Sequence, residues 1–278
     1  MNLVGKTVVL TGATTGIGRA TALALAPQPA MLIIHGPQEP TEMVGLTRSL
    51  QATMAPGAEL AYFCADYGDL ASVVQLARDI RSLTHRVDVL INNAARPGPP
   101  SRSLSSDGNE LTLQTNYLAP VALTTQLLGL IGRDQPGRIV NIASATHLSA
   151  ELYLDDLNLA HHAYSPVIAY AQSKLALVTY TCWLSQHLPR PSMAAVSMHP
   201  GVIATTLLHQ MFGAGGDLPE HGASNILQVA SHTGDNGTYY DEQRPASPNP
   251  TALDATTQNR LHQLTLAALA TVLPHGPR

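Results

Sequence analysis

The 278 residues are 45% hydrophobic and only 12% charged, a balance that supplies a buried core and excludes a disordered chain. The net charge of -4 comes with no basic stripe, which removes the electrostatic footprint of a nucleic-acid binder. No apolar run reaches the ~18 residues that span a bilayer, no leader precedes the first strand, and Cys64 and Cys182 lack a metal or redox spacing; the expectation is a cytoplasmic protein with two packed, reduced thiols and no membrane span.

Thr7 to Leu10 is a short β-branched run ending in Thr11-Gly12 and predicts a buried strand. Gly16 to Ala26 has helical spacing and stops at Pro27 and Pro29. Met31 to Ile34 is a second strand, closed by Gly36-Pro37, and Glu42 to Met54 a helix. Leu60 to Ala65 is a third strand, Leu70 to Leu83 a helix, and Val87 to Ile91 a fourth strand. Asn109 to Ile131 predicts one long helix, Gly137 to Ser144 strand five, Val167 to Leu188 another long helix, and Ala194 to Met198 strand six.

Two stretches interrupt this rhythm. One is an insert over 146–166. The other, 202–222, carries Gly213, Gly215 and Gly216 beside Leu207, Leu208, Met211 and Phe212, a composition suited to a mobile substrate lid. The tail from Asp241 to Pro250 is polar and proline-rich; Leu261 to Leu273, within a C-terminal segment 251–273, reads as a final amphipathic helix. Strand alternating with helix predicts one α/β domain over 1–278, a Rossmann-type doubly wound parallel sheet of about seven strands with helices on both faces. Its ligand site belongs at the carboxyl ends of the strands.

Two patterns carry chemistry. Gly12, Gly16 and Gly18 lie between the first strand and the first helix, where glycine permits a tight turn, close approach of a pyrophosphate, and packing of helix on sheet. Tyr170 and Lys174 stand four residues apart on a predicted helix and share a face. A lysine ammonium there lowers the pKa of the tyrosine hydroxyl, and such a hydroxyl exchanges a proton with an alcohol or carbonyl oxygen. His161, His162 and His147 lie near Asp155 and Asp156, but no helical metal-ligand spacing joins them, so no metal is expected.

In order along nearly the whole chain, these residues resemble the short-chain dehydrogenases/reductases. Thr11-Gly12-x-x-x-Gly16-Ile17-Gly18 matches the family's cofactor turn, and Asp66 the acidic residue that contacts adenine. Asn92-Asn93-Ala94-Ala95 matches an Asn-Asn-Ala-Gly motif, with Ala95 in place of the usual glycine. Asn116, Ser144 and Tyr170-x-x-Ser173-Lys174 match the catalytic set, and Pro200-Gly201-x-x-x-Thr205 the segment beside the nicotinamide. Asp155-Asp156-Leu157-Asn158, Tyr164-Ser165-Pro166, His199-Pro200-Gly201-Val202 and the long gap from Ser144 to Tyr170 resemble the retinol-dehydrogenase-like and protochlorophyllide-reductase-like branch.

The resemblance implies an NAD(P)-dependent oxidoreductase for a ketone or secondary alcohol, here a biosynthetic ketoreductase. Asn116, Ser144, Tyr170 and Lys174 would be catalytic, with Tyr170 as general acid and base and Asn116 fixing a water that links Lys174 to solvent. Gly12, Thr14, Thr15, Gly16, Ile17, Gly18, His35, Asp66, Tyr67, Asn92, Ala94, Pro200, Gly201, Val202 and Thr205 would hold the cofactor together with Tyr170 and Lys174. The second strand ends in His35-Gly36-Pro37 without an acidic residue, which favours NADP(H) over NAD(H), with Arg19, His35 or loop hydroxyls helping to bind the 2′-phosphate. The partner is a small carbonyl or alcohol. The helices over 109–131 and 167–188 form the family's usual dimer faces, so the resemblance also implies a homodimer or homotetramer. A non-redox protein on the same fold, either a cofactor-binding regulator or a repurposed isomerase or cyclase, stays open because of Ala95 and the His35-Gly36-Pro37 segment.

Overall fold

The computed structural model describes residues 2–213 and 215–273. Strands β1 (Thr7–Leu10), β2 (Met31–Gly36), β3 (Glu59–Cys64), β4 (Val89–Asn92), β5 (Gly137–Ile142), β6 (Met193–His199), β7 (Tyr239–Asp241) and β8 (Arg244–Ala246) form one sheet in the spatial order β3-β2-β1-β4-β5-β6-β7-β8. All neighbours are parallel except the antiparallel pair β7 and β8. The central strands are buried on both faces and read as continuous apolar runs, as parallel strands under helices must. Chain order reverses between β1 and β4, which opens a crevice beyond their carboxyl ends.

The helices are α1 (Gly16–Leu25), α2 (Val44–Gln51), α3 (Leu70–Leu83), α4 (Leu111–Leu113), α5 (Ala119–Leu127), α6 (Pro166–Gln186), α7 (Thr206–Phe212), α8 (Pro219–Ser231) and α9 (Ala255–Ala268). One core lies between the sheet and α1, α2 and α8, with Val8, Leu10, Leu25, Leu50 and Ile226 fully buried. The other lies under α3, α5, α6 and α9, around Val9, Leu76, Leu123, Ile139 and Leu177. Helix α6 is buried continuously from Ala169 to Cys182, so its own chain covers every face.

Several elements depart from the sequence expectation. The predicted helix over 109–131 is helical only from Leu111 to Leu127 and contains a π turn at Gln114–Leu118. Glu110 starts it late by accepting the N–H groups of Thr112 and Leu113, and Ile131 leaves it to bridge Val87. Strand five ends at Ile142; Ser144 instead caps a 3₁₀ turn at Ala145–Ser149. The stretch 202–222 is not a plain glycine-rich loop. It holds α7, a bridge between Ile203 and Asp217, and the start of α8. Gly213, at φ 60°, ends α7 as a left-handed cap. The side chain of Phe212, assigned to the lid face, lies outside the described residues. The last helix begins at Ala255, capped by Asp254, and ends at Ala268. Cys182 is buried, but Cys64 is exposed, contrary to a packed thiol, because β3 is the edge strand.

Candidate active site

The chain leaves β1 through Thr11-Gly12 and enters α1 at Gly16. Gly12 and Gly16 have φ of 63° and 51°, the left-handed region that favours glycine. A Cβ on Gly12 would come within 2.6 Å of the Ala94 Cα, and one on Gly18 would run into the Gly12 carbonyl. Thr15 caps α1 without a side-chain bond, which leaves the first-turn N–H groups and the positive helix end free for an anion. The Asn93 amide steadies the turn by donating to the carbonyls of Thr11 and Gly12 at 3.0 and 3.1 Å.

His35 sits beneath the turn, 2% exposed and stacked on Tyr67 at 4.5 Å. Its Nε2–H donates to the Ala65 carbonyl at 3.0 Å, and Nδ1 accepts the Gly12 N–H at 3.4 Å. Burial lowers its pKa to about 4, against the opposing bond to Ala65. This histidine is neutral near pH 7 and props the turn. It cannot supply the cation for a 2′-phosphate that the sequence reading gave it.

A cavity of about 690 Å³ runs from this turn to the end of β5 and the face of α6. At its far end the Tyr170 hydroxyl lies beside Ser144. The Lys174 ammonium donates to the Ile142 carbonyl at 2.8 Å and lies 5.6 Å from the Tyr170 ring centre. Burial pushes Tyr170 up to about 12, partly opposed by Ser144, and brings Lys174 down to about 7. The expected lowering of Tyr170 by its lysine is therefore overridden. Desolvation of both groups outweighs their mutual field, because a buried lysine loses much of its charge near neutrality.

The model of the family described as short chain dehydrogenase matches residues 6–214. The chain belongs to the short-chain dehydrogenase/reductase family. It is 32% identical to retinol dehydrogenase 13 of Mus musculus over 98% of this chain and 86% of that one. It is 31% identical to a candidate daunorubicin C-13 ketoreductase of Streptomyces sp. (strain C5), over 96% of this chain and 93% of that one. Among solved structures, an uncharacterized protein from Mycobacterium Paratuberculosis superposes with a TM-score of 0.78 at 29% identity, covering 96% of this chain and 94% of that chain. The chain is thus an oxidoreductase of the retinol-dehydrogenase-like branch, and the non-redox alternative recedes.

In this short-chain dehydrogenase/reductase the cavity brings together every residue assigned to the cofactor except Asn92, along with Ser144, Tyr170 and Lys174. Asn92 is 3% exposed and points away, donating to Thr124 Oγ1 at 3.0 Å and Asn141 Oδ1 at 2.8 Å. The next residue, Asn93, faces the turn instead, as alternation at a strand end requires. Asn116 lies behind the cavity wall in the π turn. Its side chain clasps the peptide of Arg96, accepting N–H at 2.8 Å and donating to the carbonyl at 3.0 Å, and donates to Ser173 Oγ at 3.1 Å. With both amide hydrogens engaged, the side chain clamps the β4 loop to α6.

The sequence reading missed Arg96, Thr146 and His199, all of which line the cavity and each of which holds a buried polar atom without a partner. Adjacency to known motifs was the available signal, since each lies within two residues of Ala95, Ser144 or Pro200.

Proposed function

We propose that this chain is an NADP(H)-dependent ketoreductase of biosynthetic role, acting on a small carbonyl compound with Tyr170 as its proton donor. The supporting observation is the meeting of the Tyr170 and Ser144 hydroxyls at one end of a cavity whose other end is the glycine turn. The glycine cradle and the free N–H groups of α1 fit a dinucleotide pyrophosphate. Asp66 and Tyr67 would flank the adenosine, while Lys174 and the segment from Pro200 to Thr205 would flank the nicotinamide end. When bound, the nicotinamide supplies the hydride. Ser144 orients the substrate oxygen. Tyr170, kept protonated by burial, gives its proton to that oxygen as negative charge develops. Lys174 titrates near neutrality and stabilises the phenolate left behind. A tyrosine held protonated suits reduction better than oxidation. Leu207 and Leu208 of α7 line the cavity, and we assign this helix the role of substrate lid. Equal protease sensitivity of α7 with and without cofactor and substrate would refute that role.

Beyond β2 the cavity is lined by Pro37 and Gln38, both uncharged, which would form the ribose corner. It admits a 2′-phosphate without repelling or pairing it, so the NADP(H) preference should be about tenfold or less. Helices α5 and α6 have little open surface, which favours a monomer over the dimer that the family resemblance implies. Cytoplasmic residence rests on the two free cysteines. Among the described residues, no helix is long and apolar enough to cross a membrane. The deciding experiment is Tyr170→Phe. Turnover should fall by about a thousandfold or more, while thermal shift with NADPH, NADP, NADH and NAD stays as in the parent. Near-normal turnover in this variant would defeat the mechanism.

A further inference from the structure

Arg96 lines the active-site cavity, and its charge goes unanswered by the protein. Among the described residues no carboxylate lies within ion-pair distance of it, and no acceptor takes a hydrogen bond from its guanidinium; its Nε is buried without a partner. Arg102 and Glu110 share its neighbourhood, since both act on Tyr164 together with Arg96. Arg102 is satisfied by the Asn158 carbonyl at 2.7 Å. Glu110 has both oxygens engaged by the Thr112 and Leu113 N–H groups, at 3.0 and 2.6 Å. Neither is bonded to Arg96.

The position is also rigid. Asn116 holds both the N–H and the carbonyl of residue 96, and through Ser173 it ties them to the residue preceding Lys174. The chain after Arg96 packs on the start of α6: a Cβ on Gly98 would meet the Pro166 Cα at 2.6 Å, and the Tyr164 hydroxyl donates to the Pro99 carbonyl at 2.9 Å. The loop that carries Arg96 thus runs from the glycine turn, which Asn93 and Ala94 touch, to the start of the catalytic helix. Thr115 Oγ1, in the same wall, is likewise buried and unpartnered. Arg96 is partly buried with its Nε sealed and unpaired, so an oxyanion in the cavity would complete it, and its planar fork matches a carboxylate.

We propose that Arg96 forms an anion subsite within the substrate pocket, so that the preferred substrate is a carbonyl or alcohol compound bearing a carboxylate or similar oxyanion. This rests on the oxidoreductase reading of the same cavity. The test is calorimetric titration of the protein saturated with oxidised cofactor, where ketones bind without turning over. The probes are pyruvate, levulinate and 4-acetylbenzoate, each against its methyl ester, so that the span from carbonyl to carboxylate varies. At least one acid should bind about tenfold or more tighter than its ester, the scale of a charge-assisted pair. That advantage should vanish in Arg96→Met and shrink when salt rises from about 0.05 to about 0.5 M. Should Arg96→Met not fold, Arg96→Lys serves, with the ratio falling severalfold as bidentate pairing is lost. Equal affinity for acid and ester across the panel, or an acid preference that survives substitution, overturns the proposal. So does a loss of cofactor affinity in place of the acid preference, which would assign Arg96 to the cofactor. Reduction of the same probes with NADPH is scored separately. Acid-selective binding with no turnover of any ketone would defeat the oxidoreductase reading and leave the subsite standing.

Discussion

Lys174 is 1% exposed and makes one described hydrogen bond, to the Ile142 carbonyl. Burial lowers its pKa from 10.5 to about 7, so between these values the unfolded chain binds a proton that the folded chain does not. Stability therefore rises with pH across this window, and below pH 7 the full penalty of a buried ammonium is present. Lys174→Met removes that penalty. The variant should be inactive yet more stable than the parent, by about 1–3 kcal/mol at pH 6, with the gap closing toward pH 10. Denaturant melts of both proteins at several pH values measure this; a variant less stable at pH 6 refutes it. At this scale the sequence was legible where a residue belongs to a spaced motif, as with Tyr170 and Lys174. It misled at Asn92, where the motif matched but the side chain turns toward Asn141. It was silent at Arg96, whose significance is the absence of a partner, something only three-dimensional neighbours can reveal.

Among the elements, the 3₁₀ turn after Ser144 depends on the far end of the chain. His147 is fully buried; its Nδ1–H donates to the Ser144 carbonyl at 2.7 Å, and its Nε2 accepts the Asn249 N–H at 3.4 Å. The Asn249 amide nitrogen lies 3.0 to 3.2 Å from the carbonyls of His147, Leu148 and Ala150. Nothing in the proline-rich tail announces this latch, because it links residues about a hundred positions apart. Asn249→Ala strands several buried carbonyls and should destabilise by about 2–4 kcal/mol. Its kinetic signature should be a lower kcat with an unchanged cofactor Kd, since Ser144 is displaced and the glycine turn is not. An unaltered kcat in a folded variant would show that the latch does not position Ser144. The other elements that escaped the sequence reading did so for separate reasons. β7 and β8 have only three residues each, too few for any period, and β8 carries Pro245 at the sheet edge. Helix α8 did carry start signals in Pro219 and Glu220, masked by the glycines before it.

For the molecule as a whole, the alternation of strands and helices made the doubly wound sheet legible, while the covering of α6 was not. Trp183 of α6 stacks between His187 at 4.2 Å and His262 of α9 at 3.6 Å. The Tyr117 hydroxyl meets Thr265 of α9 at 2.6 Å, and Gln186 donates to Gln258 at 3.2 Å. Helix α9 thus occupies a face that could otherwise receive a second copy. The protein should sediment as a monomer at micromolar concentration, and removing residues 255–273 should cause self-association through the apolar surface uncovered. A parent that sediments as a dimer would refute this.

The latch at Asn249 has a consequence for the growing chain. Every residue of the glycine turn, and every strand from β1 to β6, emerges from the ribosome before position 249 does. The nucleotide-binding half can fold and fill before that position emerges, but the turn bearing Ser144 waits for Asn249. A chain ended before Asn249 would therefore hold cofactor without a set serine: a binder first, and a catalyst only once that residue has arrived.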